Sequence, residues 1–455
     1  MHTGMKALGS LVWVTVISGC GPGKGDTTEG TAGTETTGNM SAPLTSSDPG
    51  DGTASTSGAP TSGESTSAEP TSGGPSDNRE VDILFVIDNS GSMGEEQARL
   101  ASNIAAFVSV LDGYQASYRI GVTTTDSGNP RCPSATYKPE GGNLVLSSCV
   151  DRIDQNEFKF GEDDFSFACI DRCNKRDSDL TVLPTAVDDG SEAPRRWVEF
   201  IGGQSNIAGA SVTEALQCYL PQGVAGCGFE QHLESTYLAL AASGDKSSKN
   251  NYGFMRETAQ LAVIIVSDEA DCSYNPDESL IFTSNKQFWS DPNLPAPTSA
   301  VCWNAGVECT GGPGTYSECH AQNYDVSGSV TASDDAAVLQ SVTKYTNFIK
   351  DLEAAKQQIS PGRRVKVSLI AGVPTGYESN ASELVYEDSP DSDYQNNYGI
   401  APGCVLDAGN AVPPVREREF AEAFAAPGQR NLYSICQNDY SAALTAIAED
   451  IRDGV

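Results

Sequence analysis

A carboxylate and two hydroxyls occupy alternate positions in the segment Asp88-Asn89-Ser90-Gly91-Ser92-Met93. This segment follows an apolar run, residues 81–87, and precedes an amphipathic stretch. The pattern predicts a tight turn between a buried strand and a helix. Carboxylate and hydroxyl oxygens are hard ligands that suit a small divalent cation. The turn therefore predicts a cation site in which Asp88, Ser90 and Ser92 are ligands.

A second carboxylate, Asp268, follows another apolar run, residues 261–267. In open parallel sheets, ligands bind beyond the carboxyl ends of the strands, so Asp268 is expected to face the same crevice as Asp88. Glu269 and Asp271 either add charge there or are solvated loop residues, and the second interpretation is favoured. With two negative ligands a divalent ion is neutralised and still accepts an oxygen from a partner. This is binding chemistry, and no nucleophile with a neighbouring base is visible, so we do not expect an enzyme.

Strand and helix patterns alternate from Val81 onward, which predicts an α/β fold with a doubly wound, mostly parallel sheet and helices on both faces. Residues 118–124 are predicted to be an edge strand, with 143–148 as a possible hairpin partner. Helices are predicted over 229–242 and in a long segment that Ser333 caps. Three long loops, near residues 126–196, 271–332 and 372–416, are predicted to be insertions into a single domain, 81–455.

The chain has thirteen cysteines, and twelve remain once Cys20 is set aside. Exported chains with an even number of cysteines are typically disulfide-bonded. Each of four segments holds an even number, so local pairing is possible, and Cys218 is expected to pair with Cys227. Cys169 and Cys173 as half of a metal site is the less favoured alternative, because the chain has only three histidines. The predicted disulfide cysteines are Cys132, Cys149, Cys169, Cys173, Cys218, Cys227, Cys272, Cys302, Cys309, Cys319, Cys404 and Cys436.

The first 80 residues predict export and anchoring. Residues 1–19 contain Lys6 and then an apolar core, 11–17, as in a signal peptide. The segment Ile17-Ser18-Gly19-Cys20 resembles the bacterial lipobox, which implies lipidation of Cys20; an ordinary signal peptide is the alternative. Residues 20–80 are rich in Ser, Thr, Gly and Pro and lack aromatic residues, which predicts a disordered stalk. Gly21 favours the outer membrane or cell surface, by analogy with lipoprotein sorting.

The formal net charge of −33 argues against nucleic acid as a partner, because phosphate binding requires a basic surface. The same acidity is compatible with affinity for cations.

The Asp88-x-Ser90-x-Ser92 pattern after a strand written Val-Asp-Ile-Leu-Phe-Val-Ile resembles the metal-ion-dependent adhesion site of von Willebrand factor type A domains. The segment from Val263 to Glu269 resembles the strand and aspartate that complete that site. The resemblance implies that Ser90 and Ser92 bind Mg²⁺ or Mn²⁺, with Ca²⁺ as an alternative. Asp88 and Asp268 would act directly or through water, and an acidic oxygen of the partner would fill the open position.

The chain departs from this family at one point. The family usually supplies a threonine shortly before the helix expected to begin at Phe229, where this chain has Gly226-Cys227-Gly228. Ser211 and Thr213 lie upstream and are possible substitutes. The expected function is that of an envelope-anchored adhesion protein that engages a protein or polysaccharide through the metal. A metal-independent structural or assembly component of the envelope is the alternative.

Overall fold

A seven-stranded, mostly parallel sheet lies at the centre of the computed structural model, which describes residues 79–133, 137–406 and 409–454. The predicted signal peptide, Cys20 and the stalk to residue 78 lie outside the described residues. The strand order is β7-β6-β5-β1-β2-β3-β4, and only β3 and β4 run antiparallel to their neighbours. The strands are β1 Glu80–Ile87, β2 Ser117–Thr124, β3 Val198–Ile201, β4 Gln204–Ser205, β5 Gln260–Val266, β6 Val365–Ala371 and β7 Leu432–Ser434.

Ten α-helices accompany this sheet in the described residues: α1 Gly94–Gly113, α2 Cys149–Asp154, α3 Phe167–Ile170, α4 Val212–Tyr219, α5 His232–Gly244, α6 Ala300–Gly306, α7 Val342–Ile359, α8 Ser392–Tyr398, α9 Val415–Glu422 and α10 Ser441–Asp453. Two 3-10 helices span Pro276–Phe282 and Asp334–Ala336. No helix among the described residues has the length and apolar character that a bilayer crossing requires.

Helices pack on both faces of the sheet, because successive side chains of a strand point to opposite faces. Ile83 and Phe85 of β1 belong to the core that includes α1, α4 and α10. Leu84 and Val86 belong to the core that includes α5, α7 and α9. Burial of both faces explains why β1 and β5 read as continuous apolar runs rather than alternating ones.

The predicted edge position of residues 118–124 is wrong. β2 lies inside the sheet, parallel to β1 on one side and antiparallel to β3 on the other. The expected hairpin partner, residues 143–148, forms no strand, although Val145 N–H donates to the Val122 carbonyl at 2.8 Å. The true partner follows a longer insertion, so local pattern could not identify it.

Two helices begin later than predicted. The side chains that bond to their first N–H groups cannot be identified from the hydrophobic pattern alone. α5 begins at His232 rather than Phe229, and Asp271 accepts a hydrogen bond from Leu233 N–H at 3.1 Å. α7 begins at Val342, where the hydroxyl of Ser341 accepts from Thr343 N–H. Ser333 precedes only a short 3-10 helix.

Six disulfides join all twelve cysteines of the domain. The expected Cys218–Cys227 pair is wrong, because each of these cysteines bonds to one in the first insertion. The Cys227 N–H donates to the Asp126 carboxylate at 3.1 Å. This hydrogen bond holds Cys227 beside the loop after β2, which contains its disulfide partner Cys132. Cys169 and Cys173 lie close together, but both are in disulfides. The bridges are Cys132–Cys227, Cys149–Cys169, Cys173–Cys218, Cys272–Cys302, Cys309–Cys319 and Cys404–Cys436.

A thiol titration tests these bridges. Unfolded but unreduced domain is expected to show close to zero free thiols per chain, because every cysteine after Cys20 has a partner. Reduction is the positive control and should release all twelve. Two or more free thiols before reduction would contradict the pairing.

The predicted insertions contain small ordered elements rather than structureless loops. Their short strands pair as follows: Lys159–Phe160 with Asp163–Asp164, Thr181–Val182 with Ile207–Ala208, Pro184–Ala186 with Glu192–Pro194, Val307–Gly311 with Thr315–Ala321, Thr315–Ala321 with Tyr386–Glu387, and Cys404–Leu406 with Gly409–Ala411. Disulfides, these pairings and two small apolar clusters, one around Phe282 and Trp289 and the other around Trp303 and Tyr386, hold the short elements in place.

Candidate metal site

The Asp88 carboxylate is fixed at the carboxyl end of the sheet, between β1 and β5. The Asp88 N–H continues the strand ladder by donating to the Val266 carbonyl at 3.0 Å. One carboxylate oxygen accepts from Ser90 N–H at 2.8 Å, and the other accepts from the Ser267 hydroxyl at 2.6 Å. The carboxylate is fully buried. Its orientation is therefore set by hydrogen bonds on both oxygens.

The structure brings together all four residues that the sequence predicts as metal ligands. Ser90 Oγ lies 3.3 Å from Ser92 Oγ. Ser92 Oγ donates to Asp268 Oδ1 at 3.2 Å. Two carboxylates and two hydroxyls thus converge from β1, the following turn and the end of β5. This set of hard oxygen donors fits a divalent cation.

The Asp-x-Ser-x-Ser spacing recurs in the described residues without the same surroundings. In the exposed hairpin at Asp325, one carboxylate oxygen accepts from Ser327 N–H at 2.8 Å and from Ser329 N–H at 3.1 Å. The Ser327 hydroxyl, which donates to the same oxygen at 2.6 Å, and then these N–H groups lower the pKa of Asp325 below its usual range. The spacing by itself therefore forms an ordinary turn. At Asp88 the turn differs because Asp268 approaches it from another strand.

The turn at Asp88 is held in place by Gln97 of α1, a residue that sequence reasoning missed. Its Nε2 donates to the Asp88 carbonyl at 2.8 Å and to the Gly223 carbonyl at 2.7 Å. Gly226 N–H donates to the Asn89 carbonyl at 2.8 Å, and a Cβ at Gly226 would lie 2.3 Å from Asn89 Oδ1. The loop before α5 thus lies directly against the turn, at the point where the chain lacks a threonine.

The upstream hydroxyls do not replace that threonine. Ser211 is exposed and caps α4, where its hydroxyl donates to Glu214 at 2.9 Å. Thr213 lies in the first turn of the same helix. The residue that the loop does contribute is Glu230, which is 1% exposed and close to Asp88.

Glu269 and Asp271 are both buried, so their interpretation as solvated loop residues is wrong. Burial and then the charge of Asp88 raise the pKa of Glu269 to about 7. Burial and the charges of Glu269 and Asp88 raise the pKa of Glu230. Burial and the charge of Asp88 also raise the pKa of Asp268. The site therefore concentrates negative charge that its protein surroundings compensate only in part, through His232.

His232 is fully buried behind Asp88, and its signal in the sequence was only a lone histidine at a helix start. His232 Nε2 lies 2.6 Å from Ser267 Oγ, which donates to Asp88. Burial alone would lower the pKa of His232, but Asp271, Asp88 and Glu417 together raise it to about 10. A protonated His232 donates to Ser267, and this relay orients the Asp88 carboxylate.

Asp271 lies on the inner side of His232 and pairs with a buried arginine. Arg416 Nε donates to Asp271 Oδ2 at 3.1 Å. Burial would raise the pKa of Asp271, but His232 and Arg416 lower it to about 2. Asp271 therefore supports the site through His232 rather than facing the predicted ligands.

Ser267, His232 and Asp271 together resemble a nucleophile, base and acid, an arrangement that was not visible in the sequence. Ser267 is 4% exposed, and its hydroxyl is already donated to Asp88. Ser267, His232 and Asp271 therefore orient the Asp88 carboxylate, and the Ser267 hydroxyl is not free to react with a molecule from solvent.

Each of the three insertions reaches the site. From the first, Phe160 packs on the turn so closely that a Cβ at Gly91 would lie 2.7 Å from its ring. From the second, Ser299 interacts with Glu269. From the third, Tyr394 has a buried hydroxyl for which the described part of the chain offers no hydrogen-bond partner. Burial, followed by the charges of Asp268 and Glu269, raises the pKa of Tyr394. The three insertions thus pack around the predicted metal site.

Comparisons with known proteins add no argument to the description above. No family model and no curated protein matches the chain. Among solved structures, the chain is similar to the pilus adhesin SpaC from Lactobacillus rhamnosus GG, with a TM-score of 0.28 and 9% identity. The match covers 83% of this chain and 31% of that adhesin, so the chain spans less than a third of its length. A similarity this low carries no argument about activity, and function must be inferred from the site.

Proposed function

We propose that the chain is an envelope-anchored binding protein whose type A domain engages a protein or polysaccharide partner through a divalent cation. Asp88, Ser90, Ser92 and Asp268 would hold Mg²⁺, Mn²⁺ or Ca²⁺, and the partner would supply an acidic oxygen. The observation that carries the proposal is the convergence of these four side chains at the ends of β1 and β5. The lipid anchor at Cys20 and the outer-membrane or surface location are parts of the same proposal.

The bound ion would supply positive charge and Lewis acidity at the open end of the site. The chain's own residues do the rest. Asp88 is oriented by Ser90 N–H and by the His232–Ser267 relay, so its carboxylate does not need to reorganise on binding. Ser92 is only partly buried, so it marks the side from which solvent and a partner reach the cluster.

Replacing Asp88 tests the metal site. Asp88→Ala is expected to weaken Mg²⁺ or Mn²⁺ binding by at least about 100-fold, because it removes a charged ligand at the centre of the set. Isothermal calorimetry on metal-free chain measures the change. The matched control is Asp325→Ala, which alters the same Asp-x-Ser-x-Ser spacing in the exposed hairpin and should leave metal affinity unchanged. Equal metal affinity in both variants would show that Asp88 is not a ligand.

A metal-independent structural role in the envelope is the second candidate, and His232 is the observation that favours it. Its raised pKa places a positive charge 3.8 Å from Asp88 Oδ2, so part of the negative charge is balanced internally. Retention of envelope proteins on immobilised chain with and without EDTA separates the candidates. Retention that EDTA abolishes and Mn²⁺ restores supports the metal-dependent function. Retention that EDTA leaves intact supports the structural role.

A further inference from the structure

Glu230 is a buried carboxylate for which the four predicted ligands give no explanation. It is 1% exposed, and its Oε1 has no hydrogen-bond partner among the described residues. A buried carboxylate normally has a counter-charge or a metal, because its desolvation is otherwise uncompensated. The groups that act most strongly on Glu230 are the carboxylates of Glu269 and Asp88, which have the same sign. Its surroundings therefore lack a positive charge that a cation would provide.

The backbone around Glu230 keeps the side chain in this position. The Glu230 carbonyl accepts from Cys272 N–H at 2.7 Å, after the end of β5. The next residue, Gln231, donates its N–H to the Thr125 carbonyl at 2.9 Å, just beyond β2. Cys227, three residues earlier, is tied to Cys132 by a disulfide. These anchors fix the backbone on both sides of Glu230, whose side chain is buried.

The buried charged residues around Asp88 and His232 form an inner group and an outer group. On the inner side, Asp271 and Glu417 face the cations His232 and Arg416. On the outer side lie four carboxylates. The hydrogen-bond relay from His232 ends at Asp88, and the charge of His232 also acts on Glu269. The outer carboxylates are Asp88, Glu230, Asp268 and Glu269.

We propose that Glu230 is a further ligand of the divalent cation and binds it through Oε1. This inference rests on the proposed metal site and assigns to it a residue outside the Asp-x-Ser-x-Ser pattern. A third carboxylate raises the negative charge and the number of oxygen donors around the ion. Ca²⁺ accepts six to eight oxygen ligands in flexible geometry, whereas Mg²⁺ requires near-octahedral coordination. Glu230 therefore shifts the preference of the site toward Ca²⁺.

The test uses Glu230→Gln in the full chain, freed of metal and titrated with CaCl₂ by calorimetry. The substitution keeps the shape and removes the charge, and is expected to weaken Ca²⁺ binding by about 10- to 100-fold. The matched control is Glu234→Gln, four residues later, whose carboxylate instead pairs with Lys344 at 2.7 Å. Glu234→Gln is expected to bind Ca²⁺ as the unaltered chain does.

Stability of the metal-free protein separates a ligand from a structural residue. Without metal, Glu230→Gln should be at least as stable to urea as the unaltered chain, because it removes one of several buried like charges. Ca²⁺ affinity equal to that of Glu234→Gln, or a metal-free variant less stable than the unaltered chain, would overturn the assignment. Absence of divalent-ion binding in the unaltered chain would instead refute the proposed metal-dependent function itself.

Discussion

Raising the pH from about 5 to about 8 is expected to destabilise the metal-free chain by about 3 kcal/mol or more. The cause is a set of buried carboxyl groups that hold their protons more tightly in the folded state than in the unfolded state. Burial and the charge of Asp88 raise the pKa of Glu269 to about 7. Burial and the charge of Asp271 raise that of Glu417 to about 7, against the opposing effect of His232.

The sign of the effect is the same for each group whose pKa is raised. The stabilisation is fully present below the unfolded pKa, about 4.5 for Glu, and is lost as the pH rises through about 7. For His232 it is present below 6.5 and is lost as the pH rises through about 10. Asp271 does not change this result, because its pKa of about 2 keeps it ionised throughout the range.

Urea unfolding at both pH values, in EDTA, measures the loss. Glu417→Gln should reduce the pH dependence, whereas Glu162→Gln, at an exposed position, should leave it unchanged. Saturating Ca²⁺ should remove much of the loss at the higher pH, because a ligand that binds only the folded state stabilises it. Metal-free chain that is as stable at pH 8 as at pH 5 would contradict the charge distribution described for the cluster.

The sequence predicted the parts of the fold that depend on local pattern. Continuous apolar runs identified β1 and β5 as buried strands, and the polar residues after them identified Asp88 and Asp268 as neighbours. Parallel strands that are adjacent in a sheet bring their carboxyl ends together, so two short motifs far apart in the chain were enough. The α/β architecture and the convergence of the four predicted ligands follow from this.

The remaining parts of the site depend on contacts that are distant in sequence. Glu230 and His232 become relevant only once the loop before α5 folds against the turn, and neither residue type is informative there by itself. The Cys132–Cys227 bridge spans 95 residues, so the expectation that cysteines pair within their own segment did not identify it. The helix cap from Asp271 is likewise supplied by another segment, and local pattern placed the helix start three residues early.

Arg416→Met is expected to destabilise the chain by about 3–5 kcal/mol, because it removes one of the two cations, His232 and Arg416, that compensate the buried Asp271 carboxylate. Arg416 is 1% exposed; its Nε donates to Asp271 at 3.1 Å and its Nη2 to the Gln340 carbonyl at 2.6 Å. Through these contacts, α9 is joined to the segment after β5 and to the start of α7. The control is Arg418→Met on the same helix, whose guanidinium donates to the Tyr386 hydroxyl and the Cys319 carbonyl. Arg418→Met should lose less stability, because neither of these two partners of Arg418 is a carboxylate.

The double variant Arg416→Met, Asp271→Asn separates the charge effect from the loss of packing. If the cost of Arg416→Met is the uncompensated charge of Asp271, neutralising Asp271 should recover a large part of it, as seen by a coupling free energy in urea unfolding. Additive losses would mean that Arg416 acts by packing and by its bond to Gln340. Recovery would show that Arg416 and Asp271 compensate each other's charge, so that of the two inner cations His232 is the one that acts on the outer carboxylates Asp88 and Glu269.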